Sequence, residues 1–411
     1  MTLAVISTGT ELMRGELVDT NSAWLAAELS ERGYDVTEMA TVGDDGARLV
    51  ATLSRLSRSH EAVVMTGGLG PTTDDLTTAV VAELLQVPLV RDAASLAYIE
   101  TLYASRGRTL SEFGKKQADF PEGATVLPNP RGTAPGFAAR VGQALCFFLP
   151  GVPAEMKEMF LQGVLPRLTP PREVVRVARL KTYGLTESEA NDRLAGLESE
   201  HRVLLGYRAS LPDIEVKVQA RGHDAHEVDL RLSSAVRVVR ERLGEGIVYG
   251  EGNVTFAGAI GELLAARGLK LALAESCTGG LVSSLLTEEA GASRFFVGGV
   301  TAYDNAVKCG VLGVGADTLG DHGAVSEPVA RQMAEGARRA LGADVAVSIT
   351  GIAGPTGGTE EKPVGLVHWA VATSRHTVTK SHVFRGTRGQ IQRRAAYAAL
   401  ATLRQTLLED V

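Results

Sequence analysis

Two polar clusters in the chain have residue types and spacings suited to chemistry, and each sits where an apolar run gives way to glycines. The first is Ala274-Glu-Ser-Cys-Thr-Gly-Gly280. Leu271–Ala274 reads as a buried strand, and a helix opens after Gly279 and Gly280. Such a turn exposes a side-chain nucleophile, Ser276 or Cys277, while N–H groups at the helix start face any oxyanion formed by attack. A serine in this role needs a base, and Val300-Thr-Ala-Tyr-Asp-Asn-Ala-Val-Lys308 supplies a lysine at what reads as a strand end. An amine takes a proton only when neutral, so burial or nearby positive charge must bring Lys308 below the ordinary value of about 10.4. A Cys277 thiol paired with His322 is the rival arrangement. A Ser/Thr cap followed by packing glycines explains the same residue types without catalysis.

The second cluster, Thr66-Gly-Gly-Leu-Gly-Pro-Thr-Thr-Asp-Asp75, follows another buried strand. Gly67, Gly68 and Gly70 let a ligand approach the backbone closely, and the following helix start favours anions. Asp74 and Asp75 would repel a phosphate directly, but they suit a divalent cation, Mg²⁺ or similar, that bridges to it. The alternative is a helix cap with Thr72 or Thr73 as N-cap and the aspartates favouring the dipole. The loop matches neither Gly-x-Gly-x-x-Gly nor a P-loop, which disfavours the common dinucleotide and NTPase folds. Gly9-Thr10-Glu11 and Asp19-Thr20-Asn21 add polar groups at further strand ends.

The elements that must position these clusters alternate strand and helix, which predicts parallel sheets covered on both faces. Three prolines in Leu165-Pro-Arg-Leu-Thr-Pro-Pro-Arg172 mark a boundary near Thr169. Beyond it lie a basic strand (174–182), a helix (187–199), an alternating strand (214–220) and a Glu/Arg-rich helix (227–243), a small α+β module. The expected fold class is α/β, with two three-layer α/β domains, 1–169 and 251–411, joined by the module at 170–250. The 411 residues carry 42 basic and 48 acidic side chains, a net charge of −6, which argues against a dedicated nucleic-acid binder. Three cysteines cannot form a disulfide framework. No apolar run reaches the ~20 residues of a membrane span, and the first residues lack a basic stretch, so a cytoplasmic protein is expected.

The N-terminal motifs, with Asn129-Pro-Arg-Gly-Thr-Ala-Pro-Gly136 and Leu149-Pro-Gly-Val-Pro-Ala-Glu-Met156, resemble the molybdopterin-binding (MoaB/MogA-like) domain of the CinA family of competence/damage-inducible proteins. That resemblance implies metal-dependent ADP-ribose pyrophosphatase activity. Asp74 and Asp75 would then lie near metal and diphosphate, and Thr10, Glu11, Asn21 and the three loop glycines would contact substrate. The middle module resembles a KH fold but lacks the Gly-x-x-Gly loop that clamps a nucleic-acid backbone. The C-terminal motifs resemble the nicotinamide mononucleotide (NMN) amidohydrolase family PncC, which implies metal-free hydrolysis of NMN to nicotinate mononucleotide and ammonia. On that resemblance Ser276 is the nucleophile, Lys308 the general base and Tyr303 an orienting or relaying group. Thr278 and the amides of Gly279 and Gly280 support the oxyanion, while Asn305, Thr350, Gly351, Arg388 and Arg393 contact the nucleotide. It also implies a homodimer. The competing reading is a non-catalytic nucleotide-binding protein that assists competence or recombination through a recombination protein partner; molybdopterin handling is a third, by fold analogy alone.

Overall fold

The computed structural model describes residues 1–244 and 246–409; Glu245 and the last two residues of the third expected segment lie outside it. The chain divides into two compact units, residues 1–176 with 220–230, and residues 177–219 with 231–411. Most of the middle segment therefore belongs to the second unit, and a short stretch belongs to the first. Among the described residues no helix is long and apolar enough to cross a membrane.

The first unit is built on a six-stranded sheet in the order Asp35–Val42, Thr2–Thr8, Ala62–Thr66, Ala144–Leu149, Gly136–Val141, Thr125–Leu127. The first four strands are mutually parallel. The last two add antiparallel pairings that alternation alone did not predict. The central strands Thr2–Thr8 and Ala62–Thr66 are nearly continuous apolar runs because both faces are covered. Leu49, Leu53 and Leu56 of helix Gly46–Ser59 cover one face, and Leu25 and Leu29 of helix Thr20–Glu31 cover the other. This three-layer arrangement brings the carboxyl ends of Thr2–Thr8, Ala62–Thr66 and Ala144–Leu149 to one side, where ligands bind in open α/β sheets.

The middle segment forms a four-stranded sheet, Leu204–Ser210, Asp213–Gly222, Val174–Thr182, Val248–Glu251. Strand Leu204–Ser210 escaped the sequence reading because it is half exposed and its alternation is interrupted by Gly206 and Arg208. The helix expected over 187–199 is two pieces, Glu187–Arg193 and Leu197–His201, because Gly196 takes a left-handed φ of 84° between them.

The C-terminal sheet runs Phe296–Thr301, Leu271–Glu275, Val345–Gly351, Leu366–Ala372, Thr377–Val383, its first three strands parallel and its last two antiparallel. Thr377–Val383 was not foreseen; it is an exposed edge strand whose polar residues hide its period. Helices Phe256–Ala266, Leu281–Thr287 and Arg388–Glu409 pack on one face through Leu264, Leu286 and Leu400. Helix Glu327–Ala340 covers the other through Val329, Met333 and Ala337. Leu273, fully buried on the strand that ends at the first polar cluster, holds that strand between the layers. Leu273→Ala should destabilise the protein by about 2–5 kcal/mol, read as a lower urea midpoint in equilibrium unfolding.

Candidate functional sites

In the C-terminal domain the sheet ladder carries Ser276 to its position: its N–H donates to the Ile349 carbonyl at 2.9 Å as strand Leu271–Glu275 ends. The neighbouring strand end is tied in by Ala302 N–H, which donates to the Glu275 carbonyl at 2.7 Å. Asp304 then caps helix Asn305–Gly310, its side chain accepting from Ala306 N–H at 2.7 Å. One turn along that helix Lys308 points inward and is 1% exposed. Its Nζ lies 2.8 Å from the Ala302 carbonyl, 3.1 Å from the Tyr303 carbonyl and 3.2 Å from Ser276 Oγ. Burial lowers the Lys308 pKa, against a smaller upward pull from the Asp304 carboxylate. These three partners define what the amine does. A neutral amine gives one N–H to each carbonyl and aims its lone pair at the Ser276 hydroxyl; a charged one donates to Ser276 Oγ instead. The neutral state is therefore set to receive the serine proton.

Cys277 is not in an equivalent position. It lies in the hydrophobic core, and burial pushes its thiol up to about 12. His322, its expected partner, is exposed at the end of helix Ala316–His322, and its own carbonyl accepts from Lys362 Nζ at 2.6 Å. The thiolate that the rival arrangement needs is thus disfavoured.

The oxyanion donors require a correction. The Gly279 N–H donates to the Ser276 carbonyl at 3.1 Å, and the Gly280 N–H donates to Glu275 Oε2 at 3.1 Å. Neither amide is available to a substrate. The buried Glu275 carboxylate that takes the Gly280 amide also accepts from the N–H groups of Val282 and Ser283 and from Ser283 Oγ, so it caps the helix from inside the turn. The amides of Cys277 and Thr278 find no acceptor among the described residues, and buried Thr278 Oγ1 has no partner either. The donors left without a partner at the turn are thus the Cys277 and Thr278 amides and the Thr278 hydroxyl, not the amides of the two glycines.

The structure separates the remaining expected residues. Tyr303 meets Lys308 through its backbone carbonyl, while its phenol is 63% exposed and accepts from Arg388 Nη2 at 3.2 Å, so a direct proton relay by the phenol is not built here. Arg388 also donates to the Gly354 carbonyl at 2.7 Å. Thr350 is buried and gives its hydroxyl to the Ala324 carbonyl at 2.8 Å. Gly351 is a packing glycine: a Cβ there would lie 2.7 Å from Val367 Cγ2. Asn305 and Arg393 are exposed, and Arg393, five residues beyond Arg388, falls on a different face of helix Arg388–Glu409. Glu275 and Gln392, whose Nε2 donates to the Cys277 carbonyl at 2.7 Å, were assigned no role from sequence.

In the first unit, a cavity of about 390 Å³ lies at the strand carboxyl ends and includes Gly67, Gly68, Gly70, Glu11, Asp74 and Asp75 in its lining. A Cβ at Gly67, where φ is 108°, would lie 2.5 Å from the Thr8 carbonyl, so the close approach requires glycine. Asp75 Oδ2 accepts from Thr72 N–H at 2.9 Å and Thr72 Oγ1 at 2.6 Å, which ties the loop to itself; neither Thr72 nor Thr73 caps the following helix, which starts at Thr77 after Leu76 with no side-chain cap bond, so the capping alternative is not met. Lys116 Nζ reaches the Thr72 carbonyl from the side. Thr10 is held through its N–H and hydroxyl, each 2.8 Å from Asp44 Oδ2, and Asn21 Nδ2 spans Thr66 Oγ1 at 3.2 Å and the Gly151 carbonyl at 2.7 Å. Both are bracing residues of the pocket in this arrangement.

Asp44 and Glu155 also line the cavity, giving it five carboxylates and no lysine or arginine. An anionic ligand in such a pocket meets carboxylates on several sides, with Lys116 the cation beside the loop, a setting that favours an accompanying metal ion. Among the described residues no three His, Cys, Asp or Glu side chains converge on a metal position. A magnesium-type ion needs only one or two carboxylates, with phosphate oxygens and water completing its shell, so Asp74, Asp75 and their neighbours fit an ion that arrives with a diphosphate.

Alkylation distinguishes the thiols. Iodoacetamide at neutral pH should modify half-buried Cys309 in the folded protein, whereas Cys277 and Cys146 should react only in denaturant; peptide mass spectrometry reads the outcome. Rapid labelling of native Cys277 would restore it as nucleophile.

Comparison with known proteins agrees along the whole chain. The CinA C-terminal domain matches residues 253–407, a probable molybdopterin binding domain residues 4–170, and the damage-inducible protein CinA KH domain residues 178–250. A CinA-like protein from Geobacter sulfurreducens is 43% identical over 412 residues, covering 99% of this chain and 100% of its own length. Another from Anaeromyxobacter sp. is 44% identical over 407 residues, covering 98% of each. Among solved structures, the competence/damage inducible protein CihA from Agrobacterium tumefaciens is 41% identical, covering 37% of this chain and 93% of its own, with a TM-score of 0.36. With relatives this similar over nearly the full length, the chain belongs to the CinA family.

Proposed function

We propose that the C-terminal domain is an amidohydrolase that converts NMN to nicotinate mononucleotide and ammonia. The observation that carries this reading is the buried Lys308 amine, held by two carbonyls and directed at Ser276 Oγ. In the reaction Ser276 Oγ attacks the carboxamide carbon and its proton passes to Lys308 Nζ. The carbonyl oxygen becomes an oxyanion facing the Cys277 and Thr278 amides and Thr278 Oγ1. Collapse breaks the C–N bond, and Lys308 returns the proton to the departing nitrogen, releasing ammonia. Water then attacks the acyl-serine with Lys308 again as base, freeing the carboxylic acid. Arg388, an exposed guanidinium near Tyr303, suits the phosphate of the nucleotide. No step needs a metal. The protein is proposed to work in the cytoplasm as a homodimer.

For the N-terminal domain we propose divalent-cation-dependent cleavage of ADP-ribose at its diphosphate. The support is a pocket lined by five carboxylates and no lysine or arginine, a setting in which a diphosphate is favoured to arrive with a divalent cation. Asp74 and Asp75 would hold the ion, which supplies charge neutralisation at the phosphates when bound. The loop backbone at Gly67, Gly68 and Gly70 leaves room for the phosphates to approach.

Purified protein should release ammonia from NMN without added metal. Ser276→Ala should lose about 10³-fold or more of kcat, and Lys308→Met about 10²–10⁴-fold. Full activity in Ser276→Ala would refute the assignment. Because the working base is the neutral amine and its pKa is lowered, kcat/KM should rise with pH through a midpoint below 10.5 and then level off. A profile that falls over that range contradicts the mechanism. With ADP-ribose and Mg²⁺, AMP should form, and Asp75→Ala should abolish only that activity; AMP formation undiminished by the substitution overturns the second assignment.

A further inference from the structure

The oxyanion donors at the serine turn depend on how one peptide plane, Cys277–Thr278, is oriented. In a trans peptide the carbonyl and the next N–H point in opposite directions, so whatever holds the Cys277 carbonyl also aims the Thr278 N–H. One side chain holds it: Gln392 Nε2 donates to that carbonyl at 2.7 Å from 115 residues away in sequence. Gln392 lies in the first turns of helix Arg388–Glu409, four residues after Arg388, so the two share a face of the helix. Ile391 and Ala395 of the same turns are buried in the core, which fixes that helix against the turn.

We propose that Gln392 is the positioning residue of the oxyanion site, acting through the Cys277–Thr278 peptide. The inference rests on the amidohydrolase reading and deepens it. A hydrogen bond accepted by the Cys277 carbonyl polarises the peptide and strengthens its Thr278 N–H as a donor. It also prevents the plane from turning that N–H away. Glu275 completes the arrangement from the other side by engaging the Gly280, Val282 and Ser283 amides, which leaves the Cys277 and Thr278 amides as the ones able to face a ligand. The buried, unpartnered Thr278 Oγ1 on the same residue is the second sign that this turn awaits an acceptor. A substrate oxygen carrying developing negative charge is such an acceptor.

Gln392→Met keeps the length and bulk and removes the donor; Gln392→Glu keeps the shape and sets an acceptor against the Cys277 carbonyl. Both are compared with wild type in NMN turnover and in phosphonylation by a small fluorophosphonate. In the latter Ser276 Oγ bonds to phosphorus, fluoride leaves, and the serine proton passes to Lys308. The phosphonylation rate reads oxyanion stabilisation without needing the proposed substrate, so a wrong substrate and a wrong role for Gln392 are told apart. The expected result is a roughly tenfold fall in kcat and in phosphonylation rate for Gln392→Met, and a larger fall for Gln392→Glu. KM should stay within about twofold, and the pH midpoint set by Lys308 should not move; these limits are estimated from the cost of losing one oxyanion donor outright, about 10²–10³-fold. Rates within twofold of wild type in a folded variant overturn the proposal, as does a loss that appears only in KM or as a displaced pH midpoint. Should Gln392→Met fail to fold, Gln392→Glu decides by the same criteria.

Discussion

The C-terminal site depends on placing a lysine amine where water cannot reach it. Lys308 has lost nearly all solvent contact, and neither carbonyl beside it carries a formal charge to compensate an ammonium. Burying a charged amine without a paired anion costs several kcal/mol, so the group responds by giving up its proton more readily. The rest of the domain serves that placement. Parallel pairing of Leu271–Glu275 with Phe296–Thr301 sets the serine turn beside the segment that carries both carbonyls and begins the lysine helix. A slip of either strand would separate base from nucleophile.

A second buried charge shapes the same turn with the opposite logic. Glu275 is as inaccessible as Lys308, yet it accepts from three backbone N–H groups and one hydroxyl. That carboxylate consumes amides that would otherwise compete for a ligand. The nucleophile turn is thus defined by which donors are engaged as much as by which are open. The N-terminal loop solves a different problem with similar parts. Its glycines approach neighbouring atoms closely, a Cβ at Gly67 or Gly68 meeting Thr8 or Thr77, whereas a Cβ at Gly279 or Gly280 would meet no such close neighbour, and its carboxylates line the cavity.

Much of this was legible in the sequence, for identifiable reasons. Apolar runs ending in Ala274-Glu-Ser and Met65-Thr-Gly-Gly located the strand ends, and clustered Gly, Ser and Asp marked the turns. The Ser276–Lys308 pairing came through the resemblance of the C-terminal motifs to the NMN amidohydrolase family, with a serine's need for a base as its chemical reason. What sequence could not supply was the fate of individual hydrogen bonds. Nothing local says that Glu275 turns back into its own helix start, or that Gln392 arrives from the last helix. The Gly279 and Gly280 amides are engaged inside the turn, by the Ser276 carbonyl and by Glu275, which no residue pattern announces. Asp44 was missed because its partner, Thr10, lies 34 residues away across a parallel crossover. Thr350, a ligand contact by resemblance, donates its hydroxyl to the Ala324 carbonyl, a bond that sequence does not announce and that leaves the oxygen only its acceptor capacity.

The C-terminal site turns on the protonation state of one side chain, and that state can be observed directly. The Lys308 amine can be followed by NMR in protein carrying ¹³C- and ¹⁵N-labelled lysine, with its resonance assigned by its absence from Lys308→Met. The structure predicts that it titrates below the ordinary lysine value of 10.5. A Lys308 resonance that titrates at or above that value would mean the amine remains charged beside Ser276, and the proton transfer on which this site is built would not occur.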